Sequence, residues 1–218
     1  MPLYLYPREK KSDLFDQDVP STAPGGRVPN LAPEFIVSLT AKLKLSFVPD
    51  GSGDLQTTFG PEDVFHYAYA VLYAPSYRTR YAEFLKRDFP RLPLTSDAKL
   101  FATLCGLGKQ LVALHLMTTH GAQTCTYPIA GSNRVDKVSF EDGRVSINAE
   151  QYFDGVPVAV WNYHIGGYQV AHKWLKDRKG RLLSFADLQH YQRVISALAE
   201  TIQLQTDIDK AIPAWPLV

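Results

Sequence analysis

The sequence predicts an α+β fold: a central helical bundle joined to a smaller, mostly antiparallel sheet, with a long C-terminal helix. Three observations carry this expectation. Leu100, Leu104, Leu107, Leu111 and Leu114 alternate four and three apart, the spacing of one buried helical stripe. Val135 to Phe140 and Arg144 to Asn148 alternate in polarity on either side of Glu141-Asp142-Gly143, the pattern of a β-hairpin. From Phe185 to Lys210, Leu188, Ile195, Leu198 and Ile202 fall on one face of a long helix. The 218 residues are expected to form a single domain, 1–218, long enough to bury a substantial core without disulfides. Within it, 34–120 is the mainly helical part, and 1–33 with 121–218 is the part that contains the sheet and the C-terminal helix.

Composition narrows the class. A hydrophobic content of 45% and a charged content of 21% describe an ordinary globular protein. The net charge of +1 excludes a polycation, so any binding to nucleic acid must come from one asymmetric face. Two cysteines, Cys105 and Cys125, suit a reducing compartment. No apolar run reaches the ~20 residues of a membrane-spanning helix, and no signal-peptide pattern opens the chain. A cytoplasmic protein without membrane contact is expected.

In chain order, Leu3-Tyr4-Leu5-Tyr6 reads as a short strand ended by Pro7, and the Pro/Gly-rich, charged stretch 8–33 reads as a long loop. Glu34 to Leu45 is patterned as an amphipathic helix, although strand remains open. Gly60-Pro61-Glu62-Asp63 is a helix start, with proline in the first turn and two acids facing the positive end of the dipole. Pro75 interrupts that helix, and a second is expected from about Ser76 to Lys86. Asp88-Phe89-Pro90-Arg91-Leu92-Pro93 must be extended, because each proline disfavours helix in the residue before it. Ser96 or Asp97 caps the leucine-striped helix, where Gly106 and Gly108 suit close helix packing. Val156 to Tyr163 reads as another strand. Gly166-Gly167 permits a backbone reversal, or an approach that a Cβ would resist. A short helix from Tyr168 ends at Gly180, and Ser184 with Asp187 forms a weak capping box for the last helix.

Templates for catalysis fail. The sequence has no G-x-x-x-x-G-K-[ST] loop, no G-x-S-x-G elbow and no G-x-G-x-x-G fingerprint. Cys105, His115, His120 and Cys125 lie close in sequence, but on one helix Cys105 and His115 are ~15 Å apart, too far for one tetrahedral metal. Glu62, Asp63, His66, Glu83 and Asp88 flank aromatic residues without a spacing that demands a shared site. His164 and His190 read as packing or surface histidines. The expectation is a protein with no chemistry, metal or cofactor of its own.

Two basic stretches remain. Residues 173–181 hold Lys173, Lys176, Arg178, Lys179 and Arg181 against one acid, Asp177, a local charge of +4. Such a cluster attracts backbone phosphates, and it equally describes a helix end whose cations offset the dipole. Residues 78–91 carry five basic and two acidic groups, +3. There Arg78 and Arg80 point from different helix faces. Arg91 is held between two prolines, ready for a phosphate or, the slightly preferred reading, an internal carboxylate.

Several stretches together resemble one family. They are Asp63 to Leu72, Tyr77-Arg78 with Arg80-Tyr81-Ala82-Glu83-Phe84-Leu85-Lys86, and Asp88-Phe89-Pro90-Arg91-Leu92-Pro93-Leu94. Gly166-Gly167-Tyr168 with Lys173-Trp174-Leu175-Lys176-Asp177-Arg178 and Gly180-Arg181 extends the match, as do Leu3-Tyr4-Leu5-Tyr6-Pro7 and Pro29-Asn30-Leu31. This combination resembles the C-terminal target-recognition region of type ISP, single-polypeptide type I-like restriction–modification enzymes. Gly60, where a Thr or Ser cap is expected, is a departure. The resemblance implies a module that recognises a specific double-stranded DNA sequence and is not itself an enzyme. It implies as partners the methyltransferase, translocase and nuclease domains of a parent polypeptide that would use S-adenosylmethionine, ATP and Mg. Phosphate contacts are then expected from Lys173, Lys176, Arg178, Lys179, Arg181, Arg78 and Arg91. Base readers are sought in 8–30 and 120–165, with Gln123, Asn133 and Arg134 as candidates by their donor and acceptor patterns. The alternative is a helical docking module for protein–protein contacts within such an enzyme.

Overall fold

The computed structural model describes residues 2–6, 26–119 and 122–217. It is a mixed α+β structure with several small sheets and a long C-terminal helix. The chain divides into two compact units, residues 1–110 with 205–218, and residues 111–204.

In the first unit, β1 (Tyr4–Leu5) pairs antiparallel with β2 (Val28–Pro29). Helix α1 (Pro33–Leu43) follows, then β3 (Ser46–Phe47), which pairs in parallel with β4 (Thr58–Phe59). The predicted start at Gly60 opens α2 (Pro61–Tyr73), where the Asp63 carboxylate accepts from the Gly60 amide at 2.8 Å and from the Gly53 amide at 2.6 Å. A Cβ on Gly60 would collide with the Gly51 carbonyl oxygen, which explains why no Thr or Ser stands at this cap. The expected helix 76–86 is two short ones, α3 (Pro75–Arg80) and α4 (Ala82–Leu85), because Tyr81 leaves the helical region at φ −103°, ψ 17°.

The leucine-striped helix is α5 (Ala98–His115), and Leu104, Leu111 and Leu114 on its stripe are buried. Phe101 packs against Phe59 and Tyr67 with ring centroids 6.0 and 5.0 Å apart, the centre of this unit's core. The two α5 glycines part company. A Cβ on Gly108 would strike the His66 carbonyl oxygen, whereas one on Gly106 would meet nothing within 4 Å.

The second unit holds the expected hairpin, β5 (Ser139–Glu141) and β6 (Arg144–Ser146), extended by β7 (Tyr152–Phe153) into a three-stranded antiparallel sheet. Asp142 and Gly143 both have positive φ, 46° and 80°, as a type I′ turn requires. The strand expected over 156–163 is instead α6 (Val158–Trp161), started by the extended Pro157. A small antiparallel hairpin, β8 (His164–Ile165) and β9 (Tyr168–Gln169), leads into α7 (Val170–Lys176). The last helix, α8 (Phe185–Ala211), opens on the predicted capping box: Ser184 Oγ accepts from the Asp187 amide at 3.1 Å, and Asp187 Oδ2 accepts from the Ser184 amide at 2.9 Å. Phe153, Leu175, Tyr191 and Ile195 are fully buried here, with Val135, Val145 and Ile147 beside them.

The glycine pair on α5 makes a stability test. Gly108→Ala is expected to cost about 1–3 kcal/mol through overpacking against backbone that has little room to retreat. Gly106→Ala should gain roughly 0.5–1 kcal/mol by removing a flexible residue from an exposed helical position. Urea denaturation of both variants measures the two signs.

Candidate nucleic-acid interface

The cations of 173–181 are presented by α7 and the turn after it. Burial of Ala171 and Leu175 turns Lys173 and Lys176 outward; the helix expected from Tyr168 to Gly180 runs only from Val170 to Lys176, and Gly180, at φ +79°, ends the turn that follows. The turn is clamped to a distant stretch. Gly180 N donates to Val135 O at 2.7 Å, Val135 N to Arg181 O at 3.0 Å, and Leu183 N to Asn133 O at 2.9 Å. Residues 133–135 therefore run antiparallel to 180–183, which sets Asn133 and Arg134 beside the basic turn.

Two of the five cations are held by the fold. Lys173 Nζ lies 2.7 Å from the Asp177 carboxylate, one helical turn on. That hydrogen bond raises the lysine pKa and lowers that of Asp177. The Arg178 guanidinium lies 3.5 Å from the centroid of the Trp174 ring, donates from Nη1 to Trp174 O at 3.0 Å, and faces Asp187 at 3.9 Å. The Asp187 carboxyl is lowered, chiefly by its hydrogen bonds from Ser184 and secondarily by Arg178. Lys176, Lys179 and Arg181 are exposed, and among the described residues no ion pair is formed by any of the three.

Lys176 and Lys179 border two adjoining hollows that share Lys176 and His172, and Arg181 lines neither of them. One, of about 320 Å³, is lined by His164, Gly167, Tyr168, Lys173 and Lys176. The other, of about 200 Å³, adds Lys137 and Lys179. Asp136 and Asp177 also border them, yet Asp177 is bound to Lys173, and Asp136 pairs with Arg134 at 3.1 Å. The surface is concave and carries four lysines and two histidines. No site role for Lys137, His172 or Tyr168 is expected from the sequence, where Tyr168 enters only with the glycine pair and His164 reads as a packing or surface histidine. Lys137 sits in a strand-like stretch that gives no signal. Tyr168 directly follows the glycine pair, which was the available pointer.

The base-reader candidates occupy different settings. Asn133, at φ +56°, accepts through Oδ1 from Gln151 Nε2 at 2.9 Å and from the Tyr127 hydroxyl at 3.2 Å. Arg134 is exposed beside it. Gln123 donates to Cys125 O at 3.1 Å and lines a separate open hollow of about 310 Å³ with Gln189, Gln192, Arg193 and Ser196. Arg78 and Arg91 belong to the other compact unit. Arg78 donates to Leu72 O at 2.8 Å and lies over the Tyr73 ring. The Arg91 side chain is 92% exposed and reaches Asp88 only at 3.8 Å. Residues 7–25, 120 and 121, part of the stretches in which base readers were sought, lie outside the described residues.

The family model for the Type ISP C-terminal specificity domain matches residues 1–206. The chain belongs to that family. No curated protein sequence matches it. Among solved structures, this specificity domain is similar to part of a DrdV–DNA complex determined by cryo-electron microscopy, with TM-score 0.63 and 22% identity, over 89% of this chain and 21% of that one. It is similar to part of the ATP-dependent Type ISP restriction-modification enzyme LlaBIII bound to DNA, with TM-score 0.64 and 16% identity, over 100% of this chain and 14% of that one. A nuclease-deletion mutant of the Type ISP enzyme LlaGI in complex with a DNA substrate mimic gives TM-score 0.53 and 19% identity, over 72% and 14%. Identities this low speak for the fold alone, and the chain spans about a fifth or less of those proteins.

The loop that carries Asn133 and Arg134 hangs on one side chain. Gln151, 1% exposed, donates to Ile129 O at 3.0 Å and to Asn133 Oδ1, and accepts from the Asn133 amide at 2.8 Å and the Asn148 side chain at 3.0 Å. Gln151→Ala takes this partner from the Ile129 carbonyl and the Asn133 amide, while Asn133 Oδ1 keeps the Tyr127 hydroxyl and Asn148 keeps the Arg134 carbonyl. The substitution is expected to cost roughly 2–4 kcal/mol. Gln123→Ala, at an exposed position, should stay within about 0.5 kcal/mol of the parent. Thermal denaturation of the two variants checks the contrast.

Proposed function

We propose that this specificity domain recognises a specific double-stranded DNA sequence for a restriction–modification enzyme and performs no chemistry itself. The observation that carries this reading is the concave basic surface of Lys176 and Lys179, with Arg181 on the adjoining turn, all three exposed and in no ion pair among the described residues. Side chains left without an internal partner gain most from phosphates, because no existing ion pair has to be broken. Lys137, His164, His172 and Lys173 extend the same surface. The family and the DNA-bound proteins it resembles support the assignment of the ligand.

In this reading the cations set position on the duplex, and sequence is read by neighbouring side chains. Arg134, exposed and clamped beside the basic turn, has the fork that suits guanine in the major groove. Asn133 contributes by shaping that loop, since its oxygen is already engaged. Arg78, Arg91 and Gln123 are further contact candidates. Methylation, ATP-driven movement and cleavage, with S-adenosylmethionine, ATP and Mg, belong to other parts of a parent polypeptide.

A second surface favours docking. Phe84 and Phe89, 72% and 90% exposed, border an apolar hollow of about 270 Å³ with Tyr81, Leu85 and Pro90. Under that reading Phe84→Ser with Phe89→Ser abolishes association with the methyltransferase portion while duplex binding persists.

Duplex binding measured by fluorescence anisotropy over a range of salt tests the main reading. Replacing Lys176, Lys179 and Arg181 together by alanine is expected to weaken binding to all sequences. It should also make the slope of log K against log salt shallower by roughly 2.7, about 0.9 for each lost phosphate contact. An unchanged slope in the triple variant removes this surface from the interface.

A further inference from the structure

Among the described residues nothing requires a glycine at Gly167. In the hairpin of β8 and β9, Gly166 is the first turn residue, with φ +59°, a conformation that calls for glycine. Gly167 lacks a positive φ, and a Cβ built on it would find nothing within 4 Å. A side chain there meets neither strain nor collision, and would reduce the freedom of the unfolded chain. On the tip of an exposed hairpin, glycine leaves the backbone open to an approach from outside the molecule.

The rest of the hairpin points the same way. Ile165 and Tyr168 are paired directly across the two strands, so their side chains share one face. They are 47% and 63% exposed. In the neighbouring pair Gln169, half-buried, donates to Trp161 O, and the exposed His164 is bonded through a ring nitrogen to Asn162 O two residues back. One pair is thus anchored, while the other, an aliphatic and an aromatic side chain, is offered to the surroundings. Tyr168 and Gly167 line the same hollow as Lys173 and Lys176, and Lys173 Nζ lies 5.2 Å from the Tyr168 ring centroid.

We propose that the tip of this hairpin enters the minor groove of the bound duplex. Ile165 and Tyr168 contact deoxyribose and base edges, the Gly167 backbone marks the closest approach, and Lys173 and Lys176 meet the flanking phosphates. The inference rests on the DNA-binding reading and deepens it. Apolar side chains suit the sugar-lined walls of the minor groove, where they act as wedges. A tip without side chains lets backbone approach where a Cβ would hold it off.

The test compares the full 218-residue chain with its Gly167→Gln variant, using short randomised duplexes at low salt. The variant is expected to melt at the same temperature or slightly higher, and to bind roughly tenfold more weakly with an unchanged salt slope. A saturating minor-groove-binding small molecule should weaken the parent chain by a similar factor and leave the variant little further affected. Equal affinity of parent and variant overturns the hairpin insertion alone, as does indifference of the parent to the groove ligand. No duplex binding by the parent chain overturns the DNA reading and this inference together.

Discussion

Three main-chain hydrogen bonds between residues 133–135 and 180–183 decide what the basic stretch becomes. A turn rich in Lys and Arg, left to itself, has no reason to keep one shape, since its charges repel and its side chains are costly to order. Here the turn is held as one side of an antiparallel bridge whose other side carries Val135, fully buried, and Asn133, tied to the buried Gln151. The cations inherit the rigidity of that core. Arg181 projects from backbone whose carbonyl is bonded to Val135, so its direction is set by sheet-like geometry and not by its own interactions. Preorganisation of this kind lowers the ordering cost that a ligand must otherwise offset.

What could be read from the sequence was local. The leucine stripe of α5, the Asp142-Gly143 turn, the Gly60-Pro61-Glu62-Asp63 start and the Ser184–Asp187 box all depend on neighbours within a few residues, and each appears in the structure. The α6 segment failed because four apolar residues suit a strand and a buried helical turn equally, and Pro157 decided between them. The reason for Gly60 was out of reach too, because it lies in a collision with Gly51, a loop contact that no periodicity encodes. Gly108 was explained by close helix packing as foreseen, whereas Gly106, two residues away, has no such neighbour.

For the site, the charge of 173–181 was visible, but its division into held and free cations was not drawn. The signal was present, since Lys173 with Asp177, and Trp174 with Arg178, both stand at the i,i+4 spacing that places side chains together on a helix. Lys137, His164 and His172 could not have been added, because the segment before β5, the β8–β9 hairpin and α7 bring them to the same hollows from distant parts of the sequence. The clamp to residues 133–135 is likewise non-local, with more than forty residues between the paired strands.

The two carboxylates beside the cations sharpen the electrostatics more than they dilute it. Asp177 engages Lys173 and Asp187 faces Arg178, while Lys176, Lys179 and Arg181 form no ion pair among the described residues. Arg178 stacked on Trp174 packs the start of the turn against α7. The result is a patch in which held and free cations are interleaved, Lys173 and Arg178 engaged beside Lys176, Lys179 and Arg181. Over distances beyond a Debye length of about 8 Å, a chain of net charge +1 offers a distant polyanion little attraction. At contact, the unpaired cations of the hollows act with little opposition. Such an arrangement gives weak long-range steering and strong dependence on fit, which suits a module that must be positioned on its ligand before its charges take effect.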